Sequence, residues 1–395
     1  MKLRGITGLA ILGALLGSAP AGADTSNEEE GRSGEGRIAA EHLSSEYGLN
    51  EEQAAQHLSE QGAFNKLYTD LKATHREESL DAYILPPSEE PSFHIRSNDA
   101  GVIETVEAFS TETGISIELE RAPAIGSEIT DHATENLDQI TSVTEDEIQG
   151  LYVDLATGEV VIGVYVEEGV ASEHQLQEAT EFQGVPELES TDVRVVVHDE
   201  PSTDAETYGG AAMASCTTGF TAQSTAGTAG FWSAAHGACG QGQTVYSGTT
   251  QSTVAGQSTL QSTTYNDNAD ISYHSMPSAV PVYGSYWGES STSTTANVTT
   301  VTVAQGANIC GRGMTTGVRC GVASPNYQPT YEGACPSGSC NASFIMIDGA
   351  PTAGGDSGGP WWFGPGEVVG IHKGGSSTWS VASAIQYVPS GTSLQ

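Results

Sequence analysis

Basic residues are scarce in this sequence: 13 Lys and Arg stand against 50 Asp and Glu among 395 residues, a formal net charge of −37 at pH 7. Binding of nucleic acid needs Lys and Arg for contacts with phosphate, so a nucleic-acid partner is not expected. Long apolar runs are also missing, and no stretch approaches the roughly 20 apolar residues that a membrane-spanning helix needs. We therefore expect neither nucleic acid nor a membrane among the partners.

Histidine is sparse after residue 206, where only His236, His274 and His372 occur. None of the three stands at a spacing typical of metal ligands, and no motif of an organic cofactor is present. The sequence therefore predicts a protein without a metal or an organic cofactor.

The acidic residues are unevenly distributed along the chain. Residues 24–206 hold 43 of them and residues 207–395 hold only 7. After residue 206 the composition changes to Ser, Thr, Gly and aromatic residues, which indicates a domain boundary there. Two explanations of the acidic segment remain open, namely a salt-rich habitat and a solvated, dispensable segment.

The first 23 residues have the pattern of a secretory signal peptide. Lys2 and Arg4 precede an apolar run over residues 6–16, and small residues follow at 21–23, where cleavage is expected. The sequence thus predicts a secreted protein. Its six cysteines all lie between residues 216 and 340, which in an exported chain predicts three disulfides among 15 possible pairings.

Ser357 lies in a glycine-rich run, residues 353–360, that suits a nucleophile on a tight turn. A serine needs an imidazole to accept its proton and a carboxylate to orient that imidazole. His236 and either Asp270 or Asp267 supply these upstream, and Asp270 is favoured because a strand-like run follows it. The order His, Asp, Ser is that of chymotrypsin-type proteases.

On these motifs the sequence resembles the chymotrypsin family, in particular its secreted bacterial members with a propeptide of the alpha-lytic type. The resemblance implies an all-β protease domain of two packed antiparallel β-barrels over residues 207–395, with the catalytic triad at their junction. The short alternating runs of that segment independently indicate an all-β barrel or sandwich. The resemblance also implies the disulfides Cys216–Cys239 and Cys310–Cys320, which leaves Cys335–Cys340.

Residues 24–206 would then be a smaller α+β propeptide domain that assists folding and inhibits the enzyme. Helical spacing over residues 41–71 predicts one or two amphipathic helices, and residues 150–166 predict a β-hairpin. A second functional domain, such as a binding module, is the alternative. The resemblance further implies an oxyanion hole made by the backbone N–H groups of Gly355 and Ser357, and a buried Asp356 paired with Arg312.

Specificity is expected to depend on Thr352 and His372, which match positions of glutamyl endopeptidases in this family. The backbone of Lys373, Gly374 and Gly375 would pair with the substrate as an added strand. A preference for Glu or Asp before the scissile bond follows, and cleavage after Glu206 would release the protease domain. The alternative is a pocket for large apolar side chains, with cleavage after Tyr208.

Two classes of function remain. The first is a secreted, monomeric serine endopeptidase, made as a zymogen, whose partners are protein or peptide substrates and its own propeptide. The second is an inactive protease homologue that acts as a binding protein.

Overall fold

The computed structural model describes twelve ranges of the chain and four isolated positions. The ranges are 36–75, 80–87, 92–123, 148–165, 193–198, 211–251, 254–288, 295–296, 299–331, 333–338, 340–364 and 366–395, and the positions are 125, 126, 129 and 133. The predicted signal peptide and both predicted cleavage sites, after Glu206 and after Tyr208, lie outside them.

The described residues of the N-terminal segment include three helices and six strands. In chain order they are α1 (Arg37–Tyr47), α2 (Glu51–Thr74), β1 (Leu80–Ile84), β2 (Phe93–Ser97), α3 (Ala100–Thr113), β3 (Ile117–Glu120), β4 (Ile148–Val153), β5 (Val160–Tyr165) and β6 (Val193–His198). The sequence predicts one or two helices over residues 41–71, and two, α1 and α2, cover that range; the hairpin predicted over 150–166 is confirmed by β4 and β5. None of the described helices is both long and apolar enough to span a bilayer.

Helix α2 is fixed at its start by a capping box and along its length by burial. The Asn50 side chain accepts from Gln53 N, and the Gln53 side chain accepts from Asn50 N, which satisfies two N–H groups that a helix start leaves unpaired. Phe64, Leu67 and Leu71, at helical spacing, are buried in one core with residues of the C-terminal half. Full burial of each such side chain contributes roughly 1.5–3 kcal/mol.

Sixteen strands lie within the described part of residues 211–395. They are β7 (Thr221–Ser224), β8 (Ala229–Ser233), β9 (Thr244–Tyr246), β10 (Val254–Gln257), β11 (Thr259–Asn266), β12 (Ala269–Ser275), β13 (Ser285–Tyr286), β14 (Thr295–Ala296), β15 (Thr299–Thr300), β16 (Asn308–Gly313), β17 (Gly317–Pro329), β18 (Phe344–Asp348), β19 (Pro360–Phe363), β20 (Glu367–Gly375), β21 (Trp379–Ala384) and β22 (Thr392–Leu394). Two 3₁₀ helices accompany them, Gly237–Gly240 and Ile385–Tyr387.

These strands build two β-structures, as the sequence predicts. The second is a closed barrel of six strands in the order β16-β19-β20-β21-β18-β17, with β17 returning to pair with β16. The first is a five-stranded sheet in the order β11-β12-β8-β7-β22, which curls into a half-barrel beside the β9–β10 pair. A shared core joins them, in which Trp232 and Ile271 of the first pack with Trp362 and Ile371 of the second.

Strand β4 and helix α2 are among the elements of the N-terminal segment that contact the second barrel. Strand β4 pairs with the end of β17 and extends its sheet through β5 and β6. Helix α2 lies along residues 302–308 and satisfies their backbone with polar side chains one turn apart, as Gln61 does by pairing twice with Asn308 (3.2 and 3.3 Å). Asn65 Oδ1 accepts from Ala304 N at 3.1 Å, and Thr69 Oγ1 accepts from Thr302 N at 2.9 Å.

All six cysteines are paired: Cys216–Cys239, Cys310–Cys320 and Cys335–Cys340. This is the pairing that the family resemblance implies. The first disulfide ties the chain before β7 to the 3₁₀ helix that follows His236, and the second links the paired strands β16 and β17.

Candidate active site

His236, Asp270 and Ser357 lie together at the junction of the two β-structures. His236 follows the end of β8, Asp270 lies on β12 of the same sheet, and Ser357 lies in the turn before β19 of the second barrel. The exposed fractions of the three residues are 7%, 1% and 4%, so the group is almost completely shielded from solvent.

The hydrogen bonds of His236 leave its Nε2 as a base toward Ser357. Its Nδ1–H donates to Asp270 Oδ2, so the lone pair of Nε2 faces Ser357 Oγ at 3.1 Å. Asp270 Oδ1 accepts from the backbone N–H groups of Ala235 (2.7 Å) and His236 (2.9 Å), which fixes the carboxylate to the same loop. Asp267, the other candidate, accepts from Ser337 N in a turn instead.

The carboxylate of Asp270 is ionised because of its neighbours. Burial raises its pKa, but the charges of His236 and Lys373, and the donated hydrogen bonds, more than offset this and hold the pKa well below its usual range. A permanently ionised carboxylate at Nδ1 keeps the imidazole in the tautomer that can accept a proton from Ser357.

The turn that carries Ser357 is held against the first half-barrel. Thr217 N donates to Ser357 O at 2.7 Å, and Thr217 Oγ1 donates to Asp356 O at 2.8 Å. Gly358 has φ +90°, and a Cβ there would lie 2.2 Å from Ser233 Oγ, so only glycine fits. Gly355, with φ +122°, and Ser357 bracket Asp356 in this turn, where the predicted oxyanion donors are expected.

Asp356 is fully buried in a cradle made by the β16–β17 hairpin. Its Oδ1 accepts from Thr315 N and Thr316 N, and its Oδ2 accepts from Thr316 Oγ1 (2.7 Å) and from Ala353 N (3.1 Å). The hairpin can close over it because residue 313 is glycine, whose Cβ would fall 1.9 Å from Asp356 Oδ1.

The predicted pairing of Asp356 with Arg312 is wrong. Arg312 is buried, and its Nε donates to Gly288 O at 2.8 Å, whereas Arg319 Nη2 lies 3.9 Å from Asp356 Oδ2. The reason is the register of the hairpin, in which Arg319 stands opposite Gly311. Alternate residues of a strand face opposite sides, so Arg319 shares the Gly313 side, where Asp356 lies, and Arg312 faces the other.

Thr352 and His372 are in direct contact, with Thr352 Oγ1 2.7 Å from His372 Nε2. Trp361 Nε1–H donates to His372 Nδ1 at 3.3 Å, so the hydrogen of the neutral ring is on Nε2 and is donated to Thr352. Burial lowers the pKa of His372 well below its usual range, and the charge of Arg319 lowers it further. His372 is therefore a neutral hydrogen-bond donor to Thr352.

Lys373, Gly374 and Gly375 form the end of β20. Strand β19 stops at Pro360, opposite Ile371, so these residues extend beyond it, while β21 pairs with Gly374 and Gly375 on the other edge. The side chain of Lys373 is fully buried with Nζ 3.3 Å from Asp270 Oδ2, a contact that sequence reasoning missed. The signal available was a lysine directly after His372, in a largely apolar strand next to the predicted site.

Among the described residues, no three or more His, Cys, Asp or Glu side chains are grouped so that they could hold a metal.

No protein-family model and no curated protein sequence matches the chain. Solved structures of serine proteases do. Thermobifida fusca protease A is 25% identical, with 47% of this chain and 90% of that chain covered and a TM-score of 0.36.

The chain is also similar to a Nocardiopsis protease (22% identity, 47% of this chain and 91% of that one, TM-score 0.36). A glutamic acid specific serine protease, described as using a novel histidine triad in substrate binding, is 21% identical, with 46% and 92% covered and a TM-score of 0.36. The similarity spans about half of this chain and nearly the whole length of each of these proteases.

Proposed function

We propose that this protein is a secreted serine endopeptidase made as a zymogen, which cleaves peptide bonds through an acyl-enzyme. The observation that carries the proposal is the doubly hydrogen-bonded His236, with Asp270 on Nδ1 and Ser357 on Nε2. An imidazole held in this way can take a proton from a serine hydroxyl and pass it to a leaving amine.

In the proposed reaction Ser357 Oγ attacks the peptide carbonyl while its proton moves to His236 Nε2. The imidazolium then donates that proton to the leaving nitrogen, and a water repeats the sequence to release the acyl group. The N–H groups of Gly355 and Ser357 would stabilise the oxyanion, and loss of one such donor typically costs about 3 kcal/mol of barrier.

A serine-directed fluorophosphonate should label the protein at Ser357, whose Oγ faces the base His236 Nε2. Ser272 also contacts a histidine, His274, but both of these residues are fully buried, so a reagent should not reach them. Peptide mapping by mass spectrometry locates the label. Ser377→Ala, a change at an exposed serine two residues past the strand end, should still be labelled, and Ser357→Ala should not. An unlabelled wild-type protein would favour the inactive, binding homologue.

We also infer that residues 24–206 are a propeptide that docks on the protease domain. The support is the contact surface of the N-terminal segment: α2 satisfies the buried backbone of residues 302–308, and β4 adds a strand to β17. Groups buried in this way would be exposed in the isolated C-terminal half.

For the specificity we propose a preference for Glu or Asp before the scissile bond. His372 and Thr352 are in contact beside the Ser357 turn, and His372 Nε2 carries a hydrogen that a substrate carboxylate would accept in place of Thr352 Oγ1. The positive charge of Arg319 lowers the pKa of His372, and the same charge would favour an anion near His372.

Peptides that differ only in Glu, Gln, Phe or Arg before the scissile bond test this preference. We expect kcat/KM for Glu to exceed that for Gln by roughly 10- to 100-fold, since a hydrogen bond to a charged group contributes about 1.5–3 kcal/mol. His372→Ala should remove most of that difference, whereas Ser377→Ala should preserve it. Faster cleavage after Phe than after Glu would favour the apolar pocket and leave the peptidase proposal standing.

A further inference from the structure

Lys373 is the one lysine in residues 207–395, and its side chain is fully buried against the candidate catalytic group. It occupies a β-bulge: His372 stands opposite Ala382 and Gly374 opposite Val381, so Lys373 is the extra residue of β20. A bulge changes the direction of a side chain. Here the side chain runs to Asp270, with Nζ 3.3 Å from Oδ2.

The oxygen that Lys373 contacts is the one that already accepts from His236 Nδ1. Asp270 Oδ2 thus serves two nitrogen partners, while Oδ1 is used by the backbone of the His236 loop. Burying an ammonium is costly unless it is paired, so Lys373 and Asp270 are bound to one another as ions.

The charges around His236 balance only while the imidazole is neutral. Asp270 and Lys373 form one pair at its Nδ1 side, and Asp356 and Arg319 form another beyond the Ser357 turn. His372, also within electrostatic reach of His236, is neutral. A proton on His236 therefore gives this buried group a net positive charge, which low-dielectric surroundings disfavour.

We propose that Lys373 is a positioning residue that shares the Asp270 carboxylate with His236, fixes its orientation, and extends the activity of the enzyme to more acidic pH. The inference rests on the proposed peptidase function and deepens it. The direction of the pH effect follows from the repulsion between like charges. The Lys373 ammonium opposes proton uptake by His236, so His236 stays a base at lower pH than it would beside a neutral residue.

The pH dependence of kcat/KM tests this. With the neutral Lys373→Met, the midpoint of the acid limb should rise by about 1–2 pH units relative to the wild type. Lys373→Arg keeps the charge and should leave the midpoint close to the wild-type value. A residue that only filled space would lower activity at every pH without moving the midpoint, and an unmoved midpoint in an active Lys373→Met enzyme would overturn the proposal.

A second measurement does not need activity or a folded Met variant. In the full chain carrying Ser357→Ala, labelled with ¹⁵N-histidine and ¹³C-lysine, the Lys373 signal should show an inflection at the pH where His236 titrates. The absence of that inflection would also overturn the proposal. If the chain is no peptidase, no variant will show activity, yet this coupling between Lys373 and His236 remains measurable.

Discussion

Ser357→Ala is expected to lower kcat/KM by roughly 10³- to 10⁶-fold, since loss of a nucleophile leaves only the catalysis that the oxyanion donors and substrate binding provide. The fold should survive, because the lost hydroxyl contacts His236 Nε2 at 3.1 Å and Lys373 O at 3.3 Å and contributes little packing. Thermal unfolding of the variant should match that of the wild type within a few degrees.

Ser377→Ala provides the matched control, since it removes an exposed hydroxyl from the same region. If processing is autocatalytic, Ser357→Ala should also accumulate as the full-length precursor. Activity of Ser357→Ala within tenfold of wild type, after exclusion of contaminating peptidase, would contradict the assignment of the nucleophile.

Expression of residues 207–395 alone should yield little active enzyme, and adding residues 24–206 as a separate chain should raise the yield by an order of magnitude or more. The second barrel requires pairing of β16 with β19, strands distant in sequence that place Cys310 opposite Trp362, and such non-local topologies fold slowly. Helix α2 and strand β4 offer hydrogen-bond partners to the backbone of this barrel while the barrel is still forming.

The contacts of α2 supply a sharper version of this test. A 24–206 chain carrying Gln61→Ala and Asn65→Ala loses the side chains that bond Asn308 and Ala304, and it should rescue activity poorly. Glu104→Gln, at an exposed position of α3, should rescue as well as the wild-type segment. Full activity of residues 207–395 without any added segment would refute the folding role.

Local patterns in the sequence predicted those parts of the fold that depend on neighbours along the chain. The helices within residues 41–71, the 150–166 hairpin and the all-β C-terminal half are of this kind. Three short motifs also predicted that His236, Asp270 and Ser357 would meet, although their catalytic roles remain a proposal. The order of those motifs carried information because it matches a known arrangement.

Features set by strand register could not be predicted in this way. Arg312 and Arg319 lie on the two strands of the β16–β17 hairpin. Only the pairing of Arg319 with Gly311 decides which of the two faces Asp356. The direction of the Lys373 side chain likewise depends on a bulge that exists only relative to β21. Register and bulges depend on how a strand pairs with its neighbour, which composition and periodicity do not encode.

The burial of the basic residues has a practical consequence for residues 207–395. Arg312, Arg319 and Lys373 are the three basic side chains of that region, with exposed fractions of 6%, 6% and 0%. A peptidase of trypsin specificity must take an extended Arg or Lys side chain into its own pocket, and this folded half presents none. Tryptic digestion of the native chain should therefore trim the N-terminal segment and spare residues 207–395, and amine-directed reagents should find no lysine to modify there.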